Sequence, residues 1–108
     1  MYKIIKITLE DKVYPKILKQ ISDPPQQLYC RGNINLFKTF CFGVVGTRKI
    51  TSYGKEATKY IVSGLSGNNI TIVSGLAIGI DAIAHQTALD NNLPTIAVLG
   101  STVDDRGI

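Results

Sequence analysis

Two cysteines, Cys30 and Cys41, and a single histidine, His85, are all that this 108-residue chain offers toward a disulfide or a soft metal. They show no CxxC spacing and no cluster of further ligands. The expectation is therefore reduced, mostly buried thiols, with no zinc site, no disulfide framework and no cofactor. Long apolar runs are absent as well, since none approaches the ~18 residues of a membrane span. The apolar start Met1-Tyr2-Lys3-Ile4-Ile5-Lys6 is broken by lysines and does not read as a signal peptide. A cytoplasmic protein without a membrane partner is expected. Nucleotide fingerprints are missing too. Gly43 and Gly46 have the wrong spacing for G-x-G-x-x-G, and residues 75–79 read G-x-x-x-G. Gly54-Lys55 is followed by Glu56 and has no glycine at the spacing that a phosphate loop requires. Triphosphate hydrolysis thus has little support, and no enzymatic activity is expected.

What is present is an uneven charge. Residues 1–60 carry eleven Lys/Arg against four acidic residues, a net +7, whereas residues 61–108 carry Arg106 against four aspartates, a net −3. A basic half of this kind suits a polyanionic partner better than a neutral small substrate.

Along the chain, residues 1–35 read as a lead-in that packs on a main domain over 36–108. Ile4, Ile5, Ile7 and Leu9 form an apolar patch. Pro15 opens a short helix with Ile17, Leu18 and Ile21 as its apolar stripe, and Asp23-Pro24-Pro25 ends it. Leu28-Tyr29-Cys30-Arg31 is β-prone and forms an accessory strand that stops at Gly32-Asn33. From Phe40 onward the rhythm is βαβαβ. Strands are expected over 40–45, 70–74 and 95–99. Between them lie one helix capped by Ser52, with Ala57, Tyr60, Ile61 and Leu65 on its buried face, and a second starting near Ile80-Asp81. The second helix buries Ile80, Ile83, Ala84, Thr87 and Ala88. Gly67-Asn68-Asn69 and Asn91-Asn92 stop the two helices. Such alternation predicts an α/β fold with a parallel sheet, in which ligands sit outside the carboxyl ends of the strands.

Two glycine turns, Gly46-Thr47-Arg48-Lys49 and Ser74-Gly75-Leu76-Ala77-Ile78-Gly79, fall on that edge together with Gly100-Ser101. Arg48 is difficult to explain as packing, and its guanidinium matches a phosphate bidentately. Lys49 adds a second cation, and the following helix start adds free N–H groups. Ser74 is not in a G-x-S-x-G elbow, because residue 72 is isoleucine, so it reads as an anion-contacting hydroxyl and not a nucleophile. Asp81 and His85, spaced i, i+4, fit either a base with its orienting carboxylate or a helix-start aspartate beside a locally bonded histidine. Tyr53 fits the core or a stacking platform, and Tyr60 fits the core.

The run Val44-Val45-Gly46-Thr47-Arg48, then Ser52-Tyr53-Gly54, then Ser74-Gly75-Leu76-Ala77-Ile78-Gly79-Ile80-Asp81 with Ala84-His85, and finally Thr95-Ile96-Ala97-Val98-Leu99-Gly100, resembles the DNA-processing protein A (DprA/Smf) family. Tyr14-Pro15, Asp23-Pro24-Pro25, Leu28-Tyr29 and Gly32-Asn33 agree with it. The resemblance spans about residues 13–105. It implies a Rossmann-like domain that binds single-stranded DNA and helps to load a RecA-type recombinase in natural transformation, without catalysis of its own. A homodimer is also implied. The nucleic-acid-binding set then comprises Gly46, Thr47, Arg48, Lys49, Ser52, Ser74, Gly75 and Gly79. The second reading on the same fold is a nucleotide-binding enzyme or carrier like the phosphoribohydrolases, although their Pro-Gly-Gly-x-Gly-Thr signature is absent. One departure stands out. Thr102 occupies a position where the family has glycine, and the family's Tyr-Pro motif, later lysine and aromatic residue have no counterpart before Ile108. A fragment lacking the C-terminal strands of the domain is expected.

Overall fold

The computed structural model describes residues 3–100; the Thr102 departure lies outside them. The described chain falls into two compact units, one reaching Lys38 and the other spanning Thr39–Leu99.

In the first unit, β1 (Ile4–Thr8) pairs antiparallel with β2 (Gln27–Arg31), in register from Ile4 opposite Arg31 to Thr8 opposite Gln27. The apolar patch at the start is therefore a strand and the partner of the accessory strand. That pairing joins segments some twenty residues apart and has no local signature in either. Between them lies α1 (Lys16–Lys19), a single turn starting after Pro15. The expected apolar stripe does not form a core: Ile17 is 79% and Ile21 50% exposed. One turn of helix is too short to bury a face. Tyr14 anchors the segment instead, buried and donating its hydroxyl to the Pro25 carbonyl at 2.7 Å. A 3₁₀ turn over Ile34–Lys38 closes the unit.

The second unit is a three-stranded parallel sheet in the order β3 (Phe40–Gly43), β4 (Ile70–Ser74), β5 (Thr95–Ala97). It is the expected Rossmann-like βαβαβ core, with α2 (Ser52–Ser63) and α3 (Ile80–Asp90) as the crossovers. The flanking strands are shorter than the apolar runs that encode them, but single ladder bonds continue beyond both. Val44 N–H donates to Val73 O, and Val98 N–H donates to Ser74 O, each at 2.9 Å. In the central strand, Thr71 and Ile72 point to opposite faces and both are fully buried, as the run of β-branched residues implies. The core gathers Val62, Ile72, Ala84, Ala88 and Leu93, with Phe42, Val44, Leu65 and Ile70 packed around it.

Two details differ from the sequence pattern. Thr51, not Ser52, caps α2; it holds the extended backbone that a cap requires, and its Oγ1 accepts from Gly54 N–H at 3.0 Å. The buried face of α2 is Thr58 and Val62, whereas Tyr60 is 82% and Ile61 52% exposed. Thr58 can be buried because its hydroxyl bonds back to the Gly54 carbonyl at 2.8 Å, leaving no unmet polar group. Val62 then meets the small side chains Ala84 and Ala88. Helix α2 ends at Ser63, a few residues before Gly67 and Asn69, which take the left-handed conformation in the turn that follows. Helix α3 ends at Asp90, with Asn91 as its C-cap and Asn92 left-handed, where the Asn-Asn pair predicts it.

Candidate nucleic-acid interface

Parallel pairing aligns the carboxyl ends of β3, β4 and β5, so residues 44–50, 75–79 and 98–100 leave the sheet on one edge. The first two of these loops touch through backbone. Ile80 N–H, the first of α3, donates to the Thr47 carbonyl at 3.1 Å. Gly79 has φ +91°, and a Cβ there would collide with the Thr47 carbonyl oxygen and lie 2.8 Å from Arg48 Cα. A Cβ on Gly46 would lie 2.6 Å from Ile80 Cγ1. Gly46 and Gly79 thus let the two loops pack against each other, with the absence of a side chain as the requirement at both. A second link ties the strand ends: Ser74 is buried and donates its hydroxyl to the Val44 carbonyl at 2.6 Å.

With its carbonyl used in this way, loop 46–49 turns its side chains outward. Thr47, Arg48, Lys49 and Ser52 are all exposed. Thr47 Oγ1 accepts from Lys49 N–H at 3.1 Å, which curls the loop and leaves the hydroxyl proton free to donate. Helix α2 begins directly behind. Thr51 occupies one of its first N–H groups, and the remaining donors of that turn face outward with the positive end of the helix dipole. Two cations, a hydroxyl and helix N–H groups at one exposed point form an anion-binding arrangement. Tyr53 stands beside it, 83% exposed, on the surface and not in the core.

Loop 75–79 is different. His85 does not pair with Asp81. Its Nε2 donates to the Gly75 carbonyl at 2.6 Å, and its Nδ1 meets Thr95 Oγ1 at 2.5 Å. A carbonyl can only accept, so Nε2 carries the proton. The ring pins the second glycine turn to β5 and leaves no nitrogen for a substrate. Asp81, in the first turn of α3, is 8% exposed, and a Cβ on Gly75 would lie 2.8 Å from its Oδ2. Of the expected binding set, Gly46, Thr47, Arg48, Lys49 and Ser52 gather at the open loop. Ser74, Gly75 and Gly79 line the same edge but face structural neighbours. Thr51 was missed, although its place ahead of Ser52 in Thr51-Ser52-Tyr53-Gly54 makes it an equally good cap by residue type. Among the described residues no group of three His, Cys, Asp or Glu could hold a metal ion, and no helix is long and apolar enough to cross a membrane.

Comparison with known proteins places this architecture. The family model described as DNA recombination-mediator protein A matches residues 5–107. The DNA processing protein DprA of Streptococcus pneumoniae is 40% identical over 102 residues, which cover 94% of this chain and 36% of that protein. Protein Smf of Borreliella burgdorferi is 40% identical over 97 residues, covering 90% of this chain and 31% of that one. The chain therefore spans about a third of the length of the curated relatives it matches. Among solved structures, the X-ray structure of DprA from Streptococcus pneumoniae superposes with a TM-score of 0.86 at 37% identity, over 96% of this chain and 38% of that one. DNA processing protein A from Helicobacter pylori, whose structure is described as giving insight into a single-stranded DNA binding mode, superposes at 0.72 and 36% identity, over 90% of this chain and 41% of that one.

Proposed function

The chain belongs to the DNA recombination-mediator protein A family, and from that premise we propose that it is a single-stranded-DNA-binding module serving a RecA-type recombinase in the cytoplasm. The observation that carries this reading is the exposed group Thr47, Arg48 and Lys49 at the open N-terminus of α2. A DNA strand offers a phosphate at every nucleotide, and a guanidinium with aligned N–H donors binds such an anion whatever base it carries. Residues 39–60, which hold the loop, carry Arg48, Lys49, Lys55 and Lys59 against Glu56 alone, a basic excess that attracts the polyanion. Tyr53, exposed beside the loop, is positioned to stack on a base.

The description of the Helicobacter pylori relative supports single-stranded DNA as the ligand. The family description supports the recombinase partner. A homodimer is part of the same proposal. Strand β3 is an edge of its sheet, and Phe40 at its start and Val45 just past its end are 69% and 81% exposed, a surface that favours association. The phosphoribohydrolase-like alternative draws on the convergent glycine loops and on Asp81 and His85 as a pair, and the second ground is weakened because both ring nitrogens of His85 are engaged elsewhere.

Fluorescence anisotropy with a labelled oligothymidine, titrated over salt, tests the reading. Affinity should fall steeply as salt rises. Arg48→Ala should weaken binding to oligonucleotides of every sequence alike, by about tenfold, and make the salt slope shallower by about one. Equal affinity of the wild type and Arg48→Ala at low salt would move the site away from this loop.

A further inference from the structure

The second glycine turn holds a feature that phosphate binding does not use. Asp81 is 92% buried, with 8% of its surface exposed, and it stands over Gly75 at the ligand edge. No hydrogen bond or ion pair reaches its carboxylate among the described residues. No fully enclosed side-chain oxygen or nitrogen among those residues lacks a partner, so the carboxylate oxygens must keep a narrow opening to solvent. The dipole of α3 accounts for an acidic residue in the first turn. It does not account for a carboxylate pressed against a loop without a donor, an arrangement that is costly unless a partner arrives. His85, the nearest candidate on the same helix face, has both ring nitrogens occupied by Gly75 O and Thr95 Oγ1. The Val98 carbonyl lies 3.7 Å from the Gly75 Cβ position, adding a second acceptor beside the first.

Two acceptors, one of them charged, flank a residue with no side chain. That site repels a phosphate and takes a hydrogen-bond donor. A metal ion is a poor occupant, since no group of three His, Cys, Asp or Glu gathers among the described residues. On a DNA strand the choice is narrow. Phosphates and the sugars inside a chain carry acceptors only, so every donor is an N–H of a base. Taking the proposed single-stranded-DNA function as its basis, we infer that Asp81 is a base-reading residue: its carboxylate accepts from the exocyclic amine of a nucleobase while the phosphate of the same strand rests on loop 46–49. Carboxylates recognise the cytosine amine in this way, and thymine has no amine to offer. The edge then divides into a donor-rich loop for the backbone and an acceptor site for one base.

The test uses the 108-residue chain with oligodeoxycytidine and oligothymidine of equal length at low salt and neutral pH. Cytosine offers the exposed exocyclic amine, whereas thymine's one N–H lies between two carbonyls that the Asp81 carboxylate and the Val98 carbonyl repel. Oligodeoxycytidine should bind about tenfold tighter. Asp81→Asn should bring the two affinities to within about twofold of each other without weakening oligothymidine binding, because the neutral amide is a weaker acceptor than the charged carboxylate. Equal affinity in the wild type overturns the inference, a comparison that requires no variant to fold. Preference for deoxycytidine persisting in Asp81→Asn overturns it too. An oligo(5-methyluridine), which differs from oligothymidine only in its ribose, gaining as much over it as oligodeoxycytidine does would identify the 2′-hydroxyl as the donor and overturn the amine assignment. Binding without base discrimination overturns this inference and leaves the proposed function standing. Failure of every oligonucleotide to bind at low salt removes both.

Discussion

Loop 46–49 turns its backbone inward and its cations out; loop 75–79 commits its two glycines to its own neighbours. Both are glycine turns at the carboxyl end of a parallel strand, and both lead into a helix. In the first, Thr47 gives its carbonyl to Ile80 N–H, while Arg48 and Lys49 remain exposed. In the second, Gly75 O is held by His85, Gly79 lies against the Thr47 and Arg48 backbone, and Ser74 is tied to Val44. Helix α2 starts with a side-chain cap and outward donors, whereas α3 starts on a glycine with no side-chain cap and its first N–H already used. The first loop therefore presents its charge as a surface, and the glycines of the second hold that surface in place. Where a strand-to-helix turn recurs on one edge, the copies need not share a role.

The strongest way to break that comparison is at Gly79. With φ +91° and ψ −133° the position is open to glycine and strained for any L residue, and a Cβ meets backbone that cannot rotate away. Gly79→Ala should cost about 3 kcal/mol of stability, read as a lowered urea midpoint. DNA binding should fall with it even under conditions where the chain stays folded, because the atoms that must move belong to Thr47 and Arg48. A variant with full stability and full binding would show that the two loops are independent.

The next effect in size is at Ser74. Removing its hydroxyl deprives the half-buried Val44 carbonyl of a donor at the point where β3 enters the first loop. Ser74→Ala should cost about 1–2 kcal/mol. If Ser74 acts through Val44, oligothymidine affinity measured well below the unfolding midpoint should change little. A loss of affinity as large as that of Arg48→Ala, at unchanged stability, would instead make Ser74 a contact for the ligand.

These two residues also show how far the sequence could be read. The βαβαβ order and the shared edge were legible because alternation of β-branched runs with helical patterns is local information. So was the prominence of Arg48, since a cation after a glycine turn has few structural uses. The purpose of each glycine was not legible. Gly46, Gly75 and Gly79 look like a phosphate cradle in one dimension. Their constraint comes from Ile80, Asp81 and the Thr47–Arg48 backbone, and for Gly46 the constraining residue is more than thirty positions away. The same holds for β1, whose apolar patch becomes a strand only through β2, and for α2, whose buried face depends on a bond from Thr58 back to Gly54. Features set by neighbours in sequence were visible, and features set by packing between segments were not.

The smallest effect sharpens the comparison most, because it separates stability from binding at the open helix end. Thr51 Oγ1 accepts from Gly54 N–H at 3.0 Å and so occupies a donor that would otherwise face the anion. Thr51→Ala should cost about 1 kcal/mol through the lost cap, a modest but measurable shift in the urea midpoint. It also frees the Gly54 N–H, whose unmet hydrogen bond a bound phosphate can satisfy. Oligothymidine affinity should therefore hold or rise while stability falls, the reverse of the behaviour expected at Gly79, where both fall together. In α3 no equivalent substitution exists, since its first N–H is held by the Thr47 carbonyl and not by a side chain. Should Thr51→Ala lose affinity as Arg48→Ala does, the hydroxyl itself touches the ligand, and α2 is then no more open at its start than α3.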